Sequence, residues 1–259
     1  MSAPRRRGVL VTGAGRRIGR AVAETLAAAG WVVAVHANRS TADAEATVAA
    51  IAAAGGRAFA LAADLADPDA LAPLVAAADQ GCRTRGAALL DLVNNASRFV
   101  HDTLDTATVE GFDAHVAVNL RAPLFLTQAL LARLGPDDRG CVVNLLDNKI
   151  HAPNPDYLSY SAGKLGLAAL TGMLAQAAAP RLRVCGIAPG LTLPNESWQT
   201  EDSFARAAAR TPLGHGPTPA DIAGAVRFLL ETPSATGRVL TLDCGQSLGM
   251  DRRDVAFEG

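Results

Sequence analysis

Short apolar runs that alternate with helical stretches along all 259 residues constrain this chain more than any single motif. Residues 9–11, 31–35, 58–62, 90–93, 141–145, 182–187 and 239–242 read as strands. Residues 17–29, 41–54, 68–78, 111–134, 157–179 and 219–230 read as the helices between them. Strands that alternate with helices predict a parallel sheet with both faces covered. The fold class is therefore α/β: a single-domain, Rossmann-like, doubly wound sheet of about seven strands, with no linker. Residues 191–219 form the longest irregular stretch and read as a substrate loop or lid.

Composition excludes several classes. The formal net charge of −1 leaves no electrostatic footprint for nucleic acid or a membrane surface. Arg5, Arg6 and Arg7 are followed by too few apolar residues for a signal-peptide core, and no run is long enough to span a bilayer. Cys82, Cys141, Cys185 and Cys244 are far apart and read as buried thiols of a reducing, cytoplasmic compartment. The five histidines show no ligand spacing, so no metal is expected.

In such sheets ligands bind beyond the carboxyl ends of the strands, and every distinctive motif falls there. The loop Thr12-Gly13-Ala14-Gly15-Arg16-Arg17-Ile18-Gly19 ends the first strand and opens the first helix. Its glycines allow a close approach to a pyrophosphate, which the helix N-terminus attracts. An NAD site normally carries an acid at the end of the second strand. Here the sequence is His36-Ala37-Asn38-Arg39-Ser40, with no acid between Glu24 and Asp43. Arg39 and Ser40, with Arg17 nearby, suit a 2′-phosphate, so the cofactor expected is NADP(H). Asp64 and Leu65 after the third strand suit the adenine. Asn95-Ala96-Ser97 after the fourth suits a backbone passing close to the cofactor. Pro189-Gly190 and Thr192 after the sixth suit the nicotinamide amide.

Tyr160 and Lys164 carry the chemistry. The chain has only two tyrosines, and this one lies one helical turn from a lysine. A nearby cation favours the phenolate, so such a tyrosine can move a proton near neutral pH. Asn119 lies in an otherwise apolar helix and needs partners; holding a relay water is one role, a structural hydrogen bond the other.

Together, the Thr12-Gly13 loop, Asp64, Asn94-Asn95-Ala96, Asn119, Tyr160 with Lys164, and Pro189-Gly190 resemble the short-chain dehydrogenase/reductase family over essentially the full length. Two positions depart from the general family pattern. Arg17 stands where the middle glycine of the loop belongs, and Asp147 stands where the catalytic serine belongs. Both departures resemble the pteridine reductase branch, as do the segments 36–40 and 95–99 and the second tyrosine, Tyr157.

The resemblance implies catalysis by Asp147, Tyr160 and Lys164 with Asn119 in support. It implies a flat pterin or folate ring held against Phe99, with Ser97 and Arg17 at its polar edge. It also implies that Lys164 holds the nicotinamide ribose and that the chain is a homotetramer. Trp198 is a candidate cap over the site. An ionised aspartate cannot donate a hydrogen bond to a carbonyl oxyanion as serine does, so Asp147 argues for C=N rather than ketone reduction. A carbonyl reductase for 3-oxoacyl or sugar substrates is the alternative. A non-catalytic NADPH-binding sensor is the alternative of another class.

Overall fold

The computed structural model describes residues 6–194 and 200–248. Seven strands form one sheet: β1 (Arg6–Val11), β2 (Val32–Ala37), β3 (Arg57–Ala62), β4 (Ala87–Asn94), β5 (Gly140–Leu145), β6 (Leu182–Pro189) and β7 (Val239–Leu242). Their order is β3-β2-β1-β4-β5-β6-β7, and every pair is parallel. The order reverses between β1 and β4, which opens a crevice at their carboxyl ends.

The helices are α1 (Arg17–Ala28), α2 (Thr41–Ala53), α3 (Pro68–Arg83), α4 (Val109–Val116), α5 (Ala122–Arg133), α6 (Leu158–Ala178), α7 (Glu201–Ala209) and α8 (Pro219–Glu231). Strand residues alternate between two cores, as the pleat requires. Val9, Val11, Val33, Val143 and Ile187 face Val22, Leu26, Ile222 and Val226. Leu10, Val32, Leu92, Val142 and Val184 face Leu71, Leu74, Leu126 and Leu130. Covering on both faces explains why the inner strands read as continuous apolar runs.

At the amino ends of the strands, a buried carboxylate ties four segments together. Asp91 on β4 accepts from Arg7 Nε at 2.8 Å and Nη2 at 2.6 Å, from Trp31 Nε1 at 2.9 Å and from the Cys141 N–H at 3.0 Å. A fully buried charge is tolerable because it is paired and saturated with donors.

Three sequence expectations need correction. Residues 111–134 are not one regular helix. A π turn, Ala117–Arg121, separates α4 from α5. Pro123 has no N–H to donate to the Asn119 carbonyl four residues earlier, which favours the irregular winding. The stretch 191–219 is not wholly irregular: α7 lies inside it, started by a capping box in which Thr200 and Ser203 bond reciprocally. Helix α3 continues past residue 78 to Arg83, because Gly81 lets it pack against the Phe59 ring; a Cβ there would meet that ring at 2.2 Å. Of the four thiols, Cys82, Cys141 and Cys185 are buried and Cys244 is partly exposed. Among the described residues, no helix is long and apolar enough to cross a membrane.

Candidate active site

The crevice between β1 and β4 is built by residues that bond to one another across it. Thr12 Oγ1 accepts from the N–H groups of Asn95 and Ala96, both at 3.0 Å. Asn95 Nδ2 returns bonds to the carbonyls of Thr12 at 2.8 Å and Gly13 at 3.0 Å. Gly13 has φ +63°, and Gly19 backs onto it so closely that a Cβ would lie 2.2 Å from the Gly13 oxygen. Helix α1 begins here with no side-chain cap on Arg16 and no acid in its first turn. Its free N–H groups and dipole end are therefore available to an anion.

Arg17 has φ +56°, which explains why a glycine suits this position in the general family pattern. An arginine held there costs about 1–2 kcal/mol of backbone strain. Its guanidinium reaches across to the Pro194 carbonyl at 2.9 Å and the Leu193 carbonyl at 3.4 Å. The glycine loop is thereby joined to the segment after β6.

His36 belongs to β2 rather than to a loop, and is 1% exposed. The Gly13 N–H donates to its Nδ1 at 3.2 Å, and its Nε2 lies 3.1 Å from the Ala63 carbonyl. Nδ1 accepts, so Nε2 must carry the proton and the ring is neutral. Burial pushes the imidazole pKa down from its ordinary value. His36 thus fixes the glycine loop from behind. Asn38 and Arg39 are exposed, Ser40 partly so, just before the N-terminus of α2. Thr47 on α2 donates to the Gly15 carbonyl at 3.0 Å. Asp64 is exposed and accepts from the Ala66 N–H at 2.9 Å, whereas Leu65 is core. Ile18 is partly buried against the core. Thr192 Oγ1 donates to the Gly190 carbonyl at 2.9 Å, and Pro189 ends β6.

The proton-handling groups meet where β5 and α6 converge. The Tyr160 hydroxyl donates to Asp147 Oδ2 at 2.7 Å. Asp147 Oδ1 accepts from the Lys149 N–H at 2.9 Å. Burial pushes the Asp147 pKa up, opposed by these two hydrogen bonds and by the charges of Lys149 and Lys164. Lys164 is 3% exposed and donates to the Leu145 carbonyl at 2.6 Å. Burial lowers its pKa to about 8, opposed by the charge of Asp147. Its Nζ lies 5.7 Å from the Tyr160 ring centroid.

Aromatic rings form the neighbouring wall. Phe99 stacks on Tyr157 with centroids 4.2 Å apart at 15°, and meets Tyr160 edge-on at 4.5 Å. One of its faces is thus taken by Tyr157, which sequence reading did not foresee, and 38% of the residue stays exposed. The Asn119 amide does have partners. Its Oδ1 accepts from Ser97 Oγ at 3.1 Å and the Arg98 N–H at 2.8 Å, and its Nδ2 donates to the Arg98 carbonyl at 2.9 Å. The side chain therefore anchors the loop that carries Phe99, rather than standing free for a water. The buried Asp102 carboxylate accepts from Ser159 Oγ and its N–H, fixing the start of α6. Sequence reading missed Asp102 and Lys149; the rarity of lysine was a usable signal for the second. Trp198 lies outside the described residues. Among the described residues, no group of three or more His, Cys, Asp or Glu could hold a metal.

A doubly wound sheet with a phosphate-type loop at its switch point and a Tyr–Lys pair beside it defines a nucleotide-dependent oxidoreductase of the Rossmann type. The chain belongs to the short-chain dehydrogenase family, whose profile matches residues 7–203. It is similar to the crystal structure of the FolM alternative dihydrofolate reductase 1 from Brucella canis complexed with NADP. That likeness has 39% identity, covers 93% of this chain and 94% of the other, and has a TM-score of 0.86. It is also 35% identical to an uncharacterised oxidoreductase of Methylorubrum extorquens, across 91% of this chain and 96% of the relative. A 3-oxoacyl-[acyl-carrier-protein] reductase of Synechocystis is 32% identical, across 91% and 95%.

Proposed function

We propose that this chain reduces a C=N bond in a dihydropterin or dihydrofolate, using NADPH. The observation that carries the reading is the Asp147–Tyr160 hydrogen bond, which occupies the position where a ketone reductase keeps a serine donor. The likeness to the Brucella dihydrofolate reductase supports it.

The residues present fit NADP(H). The uncapped start of α1, with Gly13, Gly15 and Gly19, leaves room and N–H donors for a diphosphate. Arg39 and Ser40 stand just before α2 for a 2′-phosphate, and the first acid after β2 is Asp43, in the first turn of that helix. On this reading Asp64, Ala96, Pro189, Gly190 and Thr192 line the rest of the cofactor's path, and Leu65 supports it from the core. When bound, the nicotinamide supplies hydride. Tyr160 and Asp147 hold the proton that the ring nitrogen takes, and Lys164 balances the charge they leave. The exposed part of Phe99 gives a flat heterocycle a stacking surface, with Ser97 and Arg17 at its edge. Asn119 supports the relay through its main-chain carbonyl, which Pro123 leaves without its usual donor.

On this reading the chain is one cytoplasmic reductase domain with a substrate loop at 191–219, assembled as a homotetramer. A carbonyl reductase is the second reading, favoured by the 3-oxoacyl relative. The deciding assay is NADPH oxidation with dihydrobiopterin, dihydromonapterin, dihydrofolate and a ketone panel. Ketone turnover without pterin turnover overturns the first reading.

A further inference from the structure

Lysine occurs at only two positions in the chain, Lys149 and Lys164, although Lys and Arg together number 24. Every other cationic side chain of that pair is a guanidinium. Both lysines are buried, at 5% and 3% exposure. Both also place their charge on Asp147. Lys164 has a place in the proposed mechanism; Lys149 does not yet have one.

Lys149 joins three parts of the site. Its backbone N–H donates to Asp147 Oδ1 at 2.9 Å. Its ammonium donates to Asn154 Oδ1 at 2.7 Å and reaches the Asp156 carbonyl at 3.5 Å, tying down the loop before α6. The same ammonium lies 5.6 Å from the centroid of the Tyr157 ring, within cation–π range. Tyr157 is 1% exposed and has φ +58°, a left-handed conformation that a bulky side chain adopts only when its surroundings enforce it. Tyr157 is in turn the surface on which Phe99 stacks. A compact ammonium with three donors suits these buried contacts better than a planar fork.

We propose that Lys149 is a positioning residue for the reduction: it holds the Phe99–Tyr157 wall in place, and its charge keeps the proton affinity of the Asp147–Tyr160 pair low enough for release to substrate. The proposal rests on reading that pair as the proton source, but not on which substrate receives the proton. Other charged and titratable groups face this region. Lys164 comes from α6, His101 and Asp102 from the loop after β4, and Asp156 from the loop before α6. His101 and Asp156 lie 3.6 Å apart, and Asp102 is bonded to Ser159. Lys149 thus links the Asp156 main chain, beside the His101–Asp156 pair, to Asp147, which its own N–H holds.

The test is the pH profile of kcat, with whichever substrate class turns over, for the wild type, Lys149→Met and Lys149→Arg. Methionine keeps the packing stem and removes the charge. Without that charge the pair releases its proton less readily, so the high-pH limb moves up by about one pH unit. The substrate KM rises while the NADPH Kd stays unchanged. Arginine returns the limb toward the wild-type position. A uniform fall in kcat with the limb in place overturns the proposal. If Lys149→Met does not fold, Asn154→Ala serves instead: it removes the ammonium's 2.7 Å side-chain acceptor and keeps the charge. KM must then rise with the limb unmoved, and an unchanged KM overturns the positioning role. Turnover of ketones alone would remove the pterin reading while leaving the Lys149 measurement intact.

Discussion

Tyr160 donates a hydrogen bond from its hydroxyl to Asp147 Oδ2 at 2.7 Å, so the phenol is partnered by a carboxylate rather than by the lysine one turn away on its own helix. Lys164 meanwhile donates to the Leu145 carbonyl. The lysine therefore acts on the pair through its field and not by direct contact with the hydroxyl. Tyr160→Phe removes the hydroxyl and should lower turnover roughly 100- to 10,000-fold, the usual range for a positioned acid, with little change in NADPH affinity. Asp147→Ser should reduce pterin turnover and raise ketone turnover. Steady-state kinetics on both substrate classes check this, and unchanged pterin kinetics in Asp147→Ser would remove the role given to the carboxylate.

Lys164 illustrates a conflict between function and stability. Its folded pKa of about 8 lies below the ordinary 10.5, so between those values the unfolded chain binds more protons than the folded one. The penalty is fully present below pH 8 and is lost as the pH rises toward 10.5. It amounts to at most roughly 3 kcal/mol. Lys164→Met should therefore be inactive yet unfold at a higher temperature at pH 7, with the advantage shrinking by pH 10. Calorimetry across that range is the check.

His36 sets an acid limit. Its folded pKa is lowered by burial, so the stability it contributes is present above its unfolded value of 6.5 and is lost as the pH falls below it. His36→Asn should weaken the fold near pH 7 by about 1–3 kcal/mol, because Gly13 and Ala63 lose buried partners. It should also flatten the dependence of Tm on pH between 5 and 7. A wild-type Tm that is constant over that window would contradict this.

Arg39 decides the cofactor if the 2′-phosphate reading holds. Arg39→Asp removes a charge-assisted partner and offers an acceptor for a ribose hydroxyl. The ratio of kcat/KM for NADPH over NADH should fall about 10- to 100-fold. An unmoved ratio would place the phosphate elsewhere.

The strands were legible because burial on both faces writes itself as unbroken apolar runs, as in Val33 to Val35 and Val142 to Val143. The Tyr160–Lys164 spacing and the glycine loop were legible because they are local. What stayed hidden depends on residues far apart in the chain. The role of His36 exists only because Gly13 and Ala63 meet it from the segments that follow the neighbouring strands β1 and β3. The π turn is masked by a pattern that continues through it, and betrayed only by Pro123. Helix α7 has only one large apolar side chain, Phe204, and begins from a capping box that the sequence shows only weakly. Phe99 was singled out from its loop sequence, but its stacking partner Tyr157 could be found only in three dimensions.

Because both lysines are buried, no lysine ammonium stands on the surface of this protein. Enzymes that acetylate or ubiquitylate lysine side chains find no ready acceptor on the folded chain. For the same reason, an amine-directed dye or cross-linker, once the α-amino group is blocked, can react only as the pocket breathes. Its rate of uptake then becomes a clock for that opening.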